Sequence, residues 1–305
     1  MCVFFANSAL TLLLGHFSKP ESIAMDVDQA ASVATCQSHF LATKLGASAK
    51  RFVTTAKAFG RAALDAVMPP RCVLCGADGV PSGFCLLCRT SLLQTWPPHA
   101  VACRFCGMPR PSEPSSLHDE RCHACRQQTF GFDEVLVLGV YQDCVREAVV
   151  AAKLARHAAL AKSLGALLAI DVQQRLDGKT AHYVTYVPSH FGRRLYRQGL
   201  GCPVILAQAI GQRLGIAAVP LVTLTRQTCK QSLLPDEERP ANVRGAFALK
   251  KRYAFGASPD LGGRHILLVD DVLTTGSTSS EIAHVLKNAG AASVTLAVIA
   301  RAVRR

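Results

Sequence analysis

Eight cysteines of this chain fall into four Cys-x-x-Cys pairs: CVLC (Cys72, Cys75), CLLC (Cys85, Cys88), CRFC (Cys103, Cys106) and CHAC (Cys122, Cys125). No other feature of the sequence constrains the fold so tightly. A Cys-x-x-Cys knuckle aims two thiolates at one point, and two knuckles complete a tetrahedral set of four sulfurs for structural Zn2+. Gly76 and Gly107 follow the first and third knuckles, where a tight turn directs backbone N–H groups towards sulfur. A disulfide framework would need an oxidising compartment, and a redox dithiol would be one pair on a thioredoxin-like unit rather than four. The intervals of nine, fourteen and fifteen residues fit sequential and interleaved pairing of the knuckles equally. One or two ions are expected, two being the fuller use of eight thiols. His118 and His123 lie close by and read as bystanders. If metal organises the module, a chelator is expected to unfold residues 71–126 and leave the remainder mostly intact.

The whole chain has 305 residues, 50% of them hydrophobic, enough for a good core besides this module. Its formal charge of +13 suits polyanionic partners, nucleic acid or phosphorylated substrates, although the basic residues are spread without a solid run. The segment VFFANSALTLLLG is apolar, but no Lys or Arg precedes it and it is too short to span a bilayer. No later run reaches 18 apolar residues, so a cytoplasmic protein without membrane insertion is expected. Residues 1–60 carry no motif and stand as an unassigned N-terminal extension. An amphipathic helix is expected over 49–68, ending at Pro69-Pro70.

A cysteine-rich zinc-binding module over 61–130 is followed by an α/β domain over 131–305. EVLVLGVY (134–141), YVTYVPS (183–189), VPLVTL (219–224), HILLVDD (265–271) and SVTLAVIA (293–300) read as strands. Val145 to Ile170, Val204 to Leu214 and Ser277 to Asn288 read as helices. Continuous apolar strands alternating with helices indicate a parallel sheet covered on both faces. LPDEERPANVRG breaks the periodicity and reads as a loop or hood.

The segment HILLVDDVLTTGST (265–278) combines a buried strand with two adjacent carboxylates. Unpaired charges in a core are costly, but ligands of open parallel sheets sit outside the carboxyl ends of the strands. Asp270 and Asp271 therefore face a crevice. Thr274, Thr275, Ser277 and Thr278 supply hydroxyls, Gly276 lets the backbone approach closely, and the following helix offers its first N–H groups: a phosphate cradle. Phosphate beside two carboxylates suits a sugar phosphate, whose vicinal hydroxyls donate to the acids.

The same 14 residues resemble the phosphoribosyl pyrophosphate signature of type I phosphoribosyltransferases. With cysteine knuckles ahead, the chain is similar over roughly residues 62–303 to the competence protein F (ComF) family, related to the gluconate-utilisation protein GntX. YVPSHFGRRLYRQG and TCKQSLLPDEERPANVRGAF, with Thr228, Gln231, Arg239, Asn242 and Phe247, carry the likeness further. Relatives usually read RGFNQ where this chain has QGLGC (198–202), so it lacks the Asn and Gln that make a contact there. The resemblance implies a type I phosphoribosyltransferase-like sheet flanked by helices and preceded by a zinc ribbon. It also implies that Asp270 and Asp271 hold the ribose hydroxyls and that Thr274 to Thr278 hold the 5′-phosphate. Pro188 and Ser189 would form the pyrophosphate loop, Arg193, Arg194 and Arg197 would neutralise the leaving pyrophosphate, and Lys153 fills a basic position on the first long helix. Mg2+ is expected with the diphosphate.

Phosphoribosyl transfer passes through a cationic sugar and rests on positioning and leaving-group stabilisation. His190 is the histidine nearest the site, and no catalytic base is assigned for an unknown acceptor. Three function classes fit these residues. One is a protein that binds phosphoribosyl pyrophosphate and serves DNA uptake in natural transformation, with single-stranded DNA and competence-machinery proteins as partners. Another is a phosphoribosyltransferase acting on an unidentified acceptor without a DNA role. The third is a zinc-stabilised docking scaffold with a relic pocket, against which the intact acid pair and cradle count.

Overall fold

The structure, a computed structural model, describes residues 69–80, 83–95, 100–111, 121–154, 157–176, 180–188, 200–229, 231–251 and 259–303. The N-terminal extension and its expected helix, His118, Ser189, His190, Arg193, Arg194 and Arg197 lie outside them. The described residues all belong to one compact unit, Pro69–Arg305.

The first two knuckles flank a short loop, and Cys85 caps the helix α1 (Leu86–Leu93) by accepting the Cys88 N–H at 3.4 Å. The third knuckle lies between the antiparallel strands β1 (Ala100–Ala102) and β2 (Pro109–Pro111). The fourth opens the short helix α2 (His123–Gln127), with Cys122 as its N-cap.

The parallel α/β sheet expected from the sequence follows. Its strands are β3 (Glu134–Val140), β4 (Tyr183–Tyr186), β7 (His265–Leu273) and β8 (Ser293–Arg301), in the order β3-β8-β7-β4, every pair parallel. Alternate side chains serve two cores, as strand pleating requires. Leu136, Leu138, Leu267, Val269 and Ile299 pack under α3 (Asp143–Ala152), α4 (Ala158–Arg175) and α5 (Cys202–Leu214). Val135, Val137, Leu268, Leu296 and Val298 pack under α7 (Ser277–Asn288) and the hood that precedes β7.

Two expected elements differ. The helix expected from Val145 to Ile170 is two helices, the first ending at Ala152, after which Leu154 N–H donates to Ala151 O at 2.9 Å, and the second starting after His157, whose N–H donates to Leu154 O at 3.0 Å. One straight rod cannot both cover the β3–β8 side with Val145 and Val149 and run along α5 with Leu164 and Leu168. The apolar run at 219–224 contributes only β5 (Val222–Leu224), which leaves the parallel sheet and pairs antiparallel with β6 (Phe247–Leu249). Between them lie a single 3-10 turn and α6 (Glu238–Val243), so the expected hood is a small structured lobe.

The ribbon rests directly on the sheet. Val135 N–H donates to Arg104 O at 2.7 Å. Gly107, at φ +70°, lies so close that a Cβ there would stand 2.5 Å from a Val137 methyl. Among the described residues, no helix is long and apolar enough to cross a membrane.

Candidate functional site

The site begins where β7 runs out of neighbours to bury it. Its first five residues are buried, whereas Asp270, Asp271 and Val272 are half-buried. Asp271 N–H donates to Asp270 Oδ1 at 2.8 Å, which fixes the two carboxylates relative to each other. Lys153 Nζ lies 3.2 Å from Asp271 Oδ2, delivered by the turn that breaks the long helix. On the other side Val187 N–H donates to Val269 O at 3.0 Å, so Pro188 leaves β4 beside Asp270.

Burial, and then the negative charge of Asp271, push the Asp270 carboxyl up to about 8, despite the Asp271 N–H and Lys153, which pull the other way. The acid pair therefore keeps a proton near neutral pH. Burial pulls the Lys153 ammonium down, but Asp271 and Asp270 more than offset it and hold its pKa above the ordinary value. Lys153 stays charged.

After Leu273 the chain turns through Thr274, Thr275 and Gly276 into α7. Gly276 adopts φ +80°, and a Cβ there would meet the Phe130 ring at 2.8 Å. Thr275 and Ser277 hydroxyls lie 2.9 Å apart, and Gln231 Nε2 donates to Thr278 Oγ1 at 3.3 Å from the hood. The hood is held in turn by Gly245 N–H to Glu281 Oε1 at 2.7 Å, and by Asn242, which clasps both the N–H and the C=O of Cys229. Asp270, Asp271, Lys153, Pro188 and the 274–278 loop are thus brought to one end of the sheet.

Three residues that sequence reasoning did not single out support the loop from beneath. Arg301 Nη1 donates to Leu273 O at 2.9 Å and to Thr274 O. Gln128 Nε2 donates to Thr275 O at 3.0 Å, and Phe130 packs under Gly276. The one available signal was a charge closing the apolar strand SVTLAVIAR.

The thiols form two separate sets, Cys72, Cys75, Cys85 and Cys88, and Cys103, Cys106, Cys122 and Cys125, so the knuckles pair sequentially. Zn–S bonds of about 2.3 Å in a tetrahedron require sulfurs roughly 3.8 Å apart. Cys75 and Cys85 are 3.8 Å apart, Cys103 and Cys125 3.7 Å, Cys122 and Cys125 3.6 Å, and Cys106 and Cys122 3.3 Å. Backbone N–H groups also point at sulfur, as from Cys85 to Cys72 at 3.4 Å. These sets fit zinc. Without a cation, four thiols so close cannot all ionise. Hydrogen bonding from Cys106 brings Cys103 down to about 4, while that same bond and burial push Cys106 far up, and burial pushes Cys125 up to about 12. His123 belongs to neither set. Elemental analysis of anaerobically purified protein is expected to give two zinc ions per chain, and Cys103→Ser one. Zinc-free protein would contradict the assignment.

The double zinc ribbon domain matches residues 63–130, and the phosphoribosyl transferase domain matches residues 203–305. The DNA utilization protein YhgH of Escherichia coli K12 is 30% identical over 228 residues, covering 70% of this chain and 94% of that protein. Its namesake from Salmonella typhimurium is 30% identical over 235 residues, covering 74% and 95%. Competence protein F of Haemophilus influenzae is 26% identical over 244 residues, covering 76% and 97%.

Proposed function

The chain belongs to the family of the DNA utilization protein YhgH and competence protein F, and on that premise we propose that it binds phosphoribosyl pyrophosphate with Mg2+ at the carboxyl end of β7 and serves DNA uptake. The observation that carries this reading is the acid pair and the hydroxyl-lined loop on one strand–turn–helix, with Lys153 held 3.2 Å from Asp271.

Asp270 and Asp271 accept hydrogen bonds from the ribose 2′- and 3′-hydroxyls. The 5′-phosphate takes the first N–H groups of α7 and the hydroxyls of Thr274, Thr275, Ser277 and Thr278. Gly276 places that backbone within reach. Pro188 and Ser189 border the diphosphate, and Arg193, Arg194 and Arg197 follow them in sequence as guanidinium forks for its oxygens. Mg2+, a hard cation that takes oxygen ligands, neutralises the diphosphate when bound. Lys153 keeps the acid pair from repelling the anionic ligand. Any transfer of the sugar to an acceptor would draw on the same positioning.

The names of the relatives and the charge of +13 support single-stranded DNA as a partner, alongside proteins of the competence machinery. Lys and Arg neutralising phosphates would make that binding weak, tolerant of sequence and sensitive to salt.

Isothermal calorimetry of the full chain with phosphoribosyl pyrophosphate and Mg2+ tests the reading. One-to-one binding is expected, tightening as pH rises from about 6.5 to 8.5 as Asp270 gives up its proton. Titration with single-stranded DNA is expected to weaken steeply with added salt. No heat with phosphoribosyl pyrophosphate across this range overturns the ligand assignment, and DNA affinity indifferent to salt overturns the electrostatic mode.

A further inference from the structure

We propose that the second thiol cluster is the counter-ion of Arg301, and that through this arginine metal occupancy of Cys103, Cys106, Cys122 and Cys125 sets the shape of the 273–276 loop. The functional consequence rests on reading that loop as the phosphate site.

Arg301 closes β8, a central strand, and is only 7% exposed. A guanidinium buried this deeply requires a compensating charge. Among the described residues no carboxylate pairs with it, and its buried Nε has no hydrogen-bond partner. Zn2+ on four thiolates retains a net charge of about −2, a strong counter-ion in a poorly solvated place. The stem of Arg301 passes the third knuckle, since a Cβ on Gly107 would stand 3.6 Å from Arg301 Cδ. Its head donates to Leu273 O and Thr274 O. One side chain therefore joins the cluster to the two carbonyls that open the cradle.

Two more contacts run in parallel. Gln128 and Phe130 follow the last ligand, Cys125, by three and five residues. They meet Thr275 O and the space under Gly276. Ribbon and loop are in direct contact, so metal loss is expected to loosen the loop as well as residues 71–126, while the rest of the α/β part stays mostly intact as expected from the sequence. The first cluster makes no such contact among the described residues.

Hydrogen exchange of the full chain tests this without any ligand. Stripping zinc from the wild type is expected to speed exchange over 274–280 at least about tenfold while β4 and α5 stay protected. Arg301→Met keeps the stem but removes the charge. It is expected to speed exchange over the same segment with zinc present, to release zinc from one cluster faster to a chromophoric chelator, and to weaken phosphoribosyl pyrophosphate about tenfold, the loss of one charge-assisted contact. Arg301→Lys is expected to restore zinc retention but not loop protection, because its ammonium stops one bond short of the Nη1 that donates to both carbonyls. Should Arg301→Met not fold, Gln128→Ala, an exposed position, is expected to speed loop exchange several-fold with zinc content unchanged. Loop exchange indifferent to zinc, or loosening spread equally over β4 and α5, overturns the coupling. A wild type that ignores phosphoribosyl pyrophosphate while its loop responds to zinc overturns only the ligand assignment.

Discussion

Gly276→Val is expected to abolish binding of phosphoribosyl pyrophosphate and to lower the melting temperature. Two costs arise together. The backbone stands at φ +80°, where an L side chain costs about 1–3 kcal/mol. The new Cβ would lie 2.8 and 2.9 Å from two Phe130 ring carbons, and relief of such overpacking costs about 1–3 kcal/mol more. Relief means moving either Phe130, which leans on the ribbon, or the turn, which carries the N–H groups that face phosphate. Gly215→Val separates these effects, because Gly215, at the end of α5, has φ +72° with nothing within 4 Å of a Cβ. It is expected to show the backbone cost alone and unchanged ligand affinity. Calorimetry and thermal unfolding of both variants check this. Gly276→Val binding within a few-fold of wild type would mean that the loop is not the phosphate site.

Asp270→Asn is expected to move function and stability in opposite directions. Removing a charge-assisted acceptor costs roughly 1.5–3 kcal/mol of binding, or about one to two decades in affinity. Stability behaves otherwise, because the Asp270 carboxyl is raised to about 8 by burial and by Asp271. The folded state thus holds this proton more tightly than the unfolded chain, whose aspartates titrate near 3.9. Its stabilising contribution is complete below about pH 4 and is lost as pH rises through about 8. Asparagine cannot ionise, so Asp270→Asn should be more stable than wild type at pH 8.5, with the difference vanishing at pH 4. Asp271→Asn should lose affinity similarly without that gain, since it also deprives Lys153 of its partner at 3.2 Å. Melting temperatures at the two pH values, beside calorimetry, decide the matter. An Asp270→Asn protein less stable than wild type at pH 8.5 would contradict this account of the pair.

What was legible in the sequence was local. Asp270, Asp271 and the 274–278 loop follow one another along the chain, so the strand–turn–helix that groups them is written in 14 residues. The knuckles were legible for the same reason, although their spacing left the pairing open, which only the fold decides. Arg301, Gln128 and Phe130 were hidden because their partners are remote: Gln128 and Thr275 are 147 residues apart, and no periodicity reports such a contact. The turn at Lys153 was hidden differently. AAKLARH holds no Gly or Pro, so its helical pattern runs on unbroken in the sequence. β5 was misplaced because a short apolar strand looks alike in a parallel sheet and in a small antiparallel lobe.

The strand order β3-β8-β7-β4 also governs when the sheet can exist. β3 emerges from the ribosome early, yet its strand partner among the described residues, β8, comes after every other described strand; Asp133 and Val294, joined at the start of that pairing, are 161 residues apart. Until β8 arrives, β3 keeps an unpaired edge, a vulnerable state that slow non-local closure prolongs. β8 then inserts between β3 and β7 and brings Arg301 to the loop in the same event. A nascent chain therefore completes the sheet and the floor of its candidate site together, and a message truncated before β8 would remove the centre of the sheet rather than trim its edge.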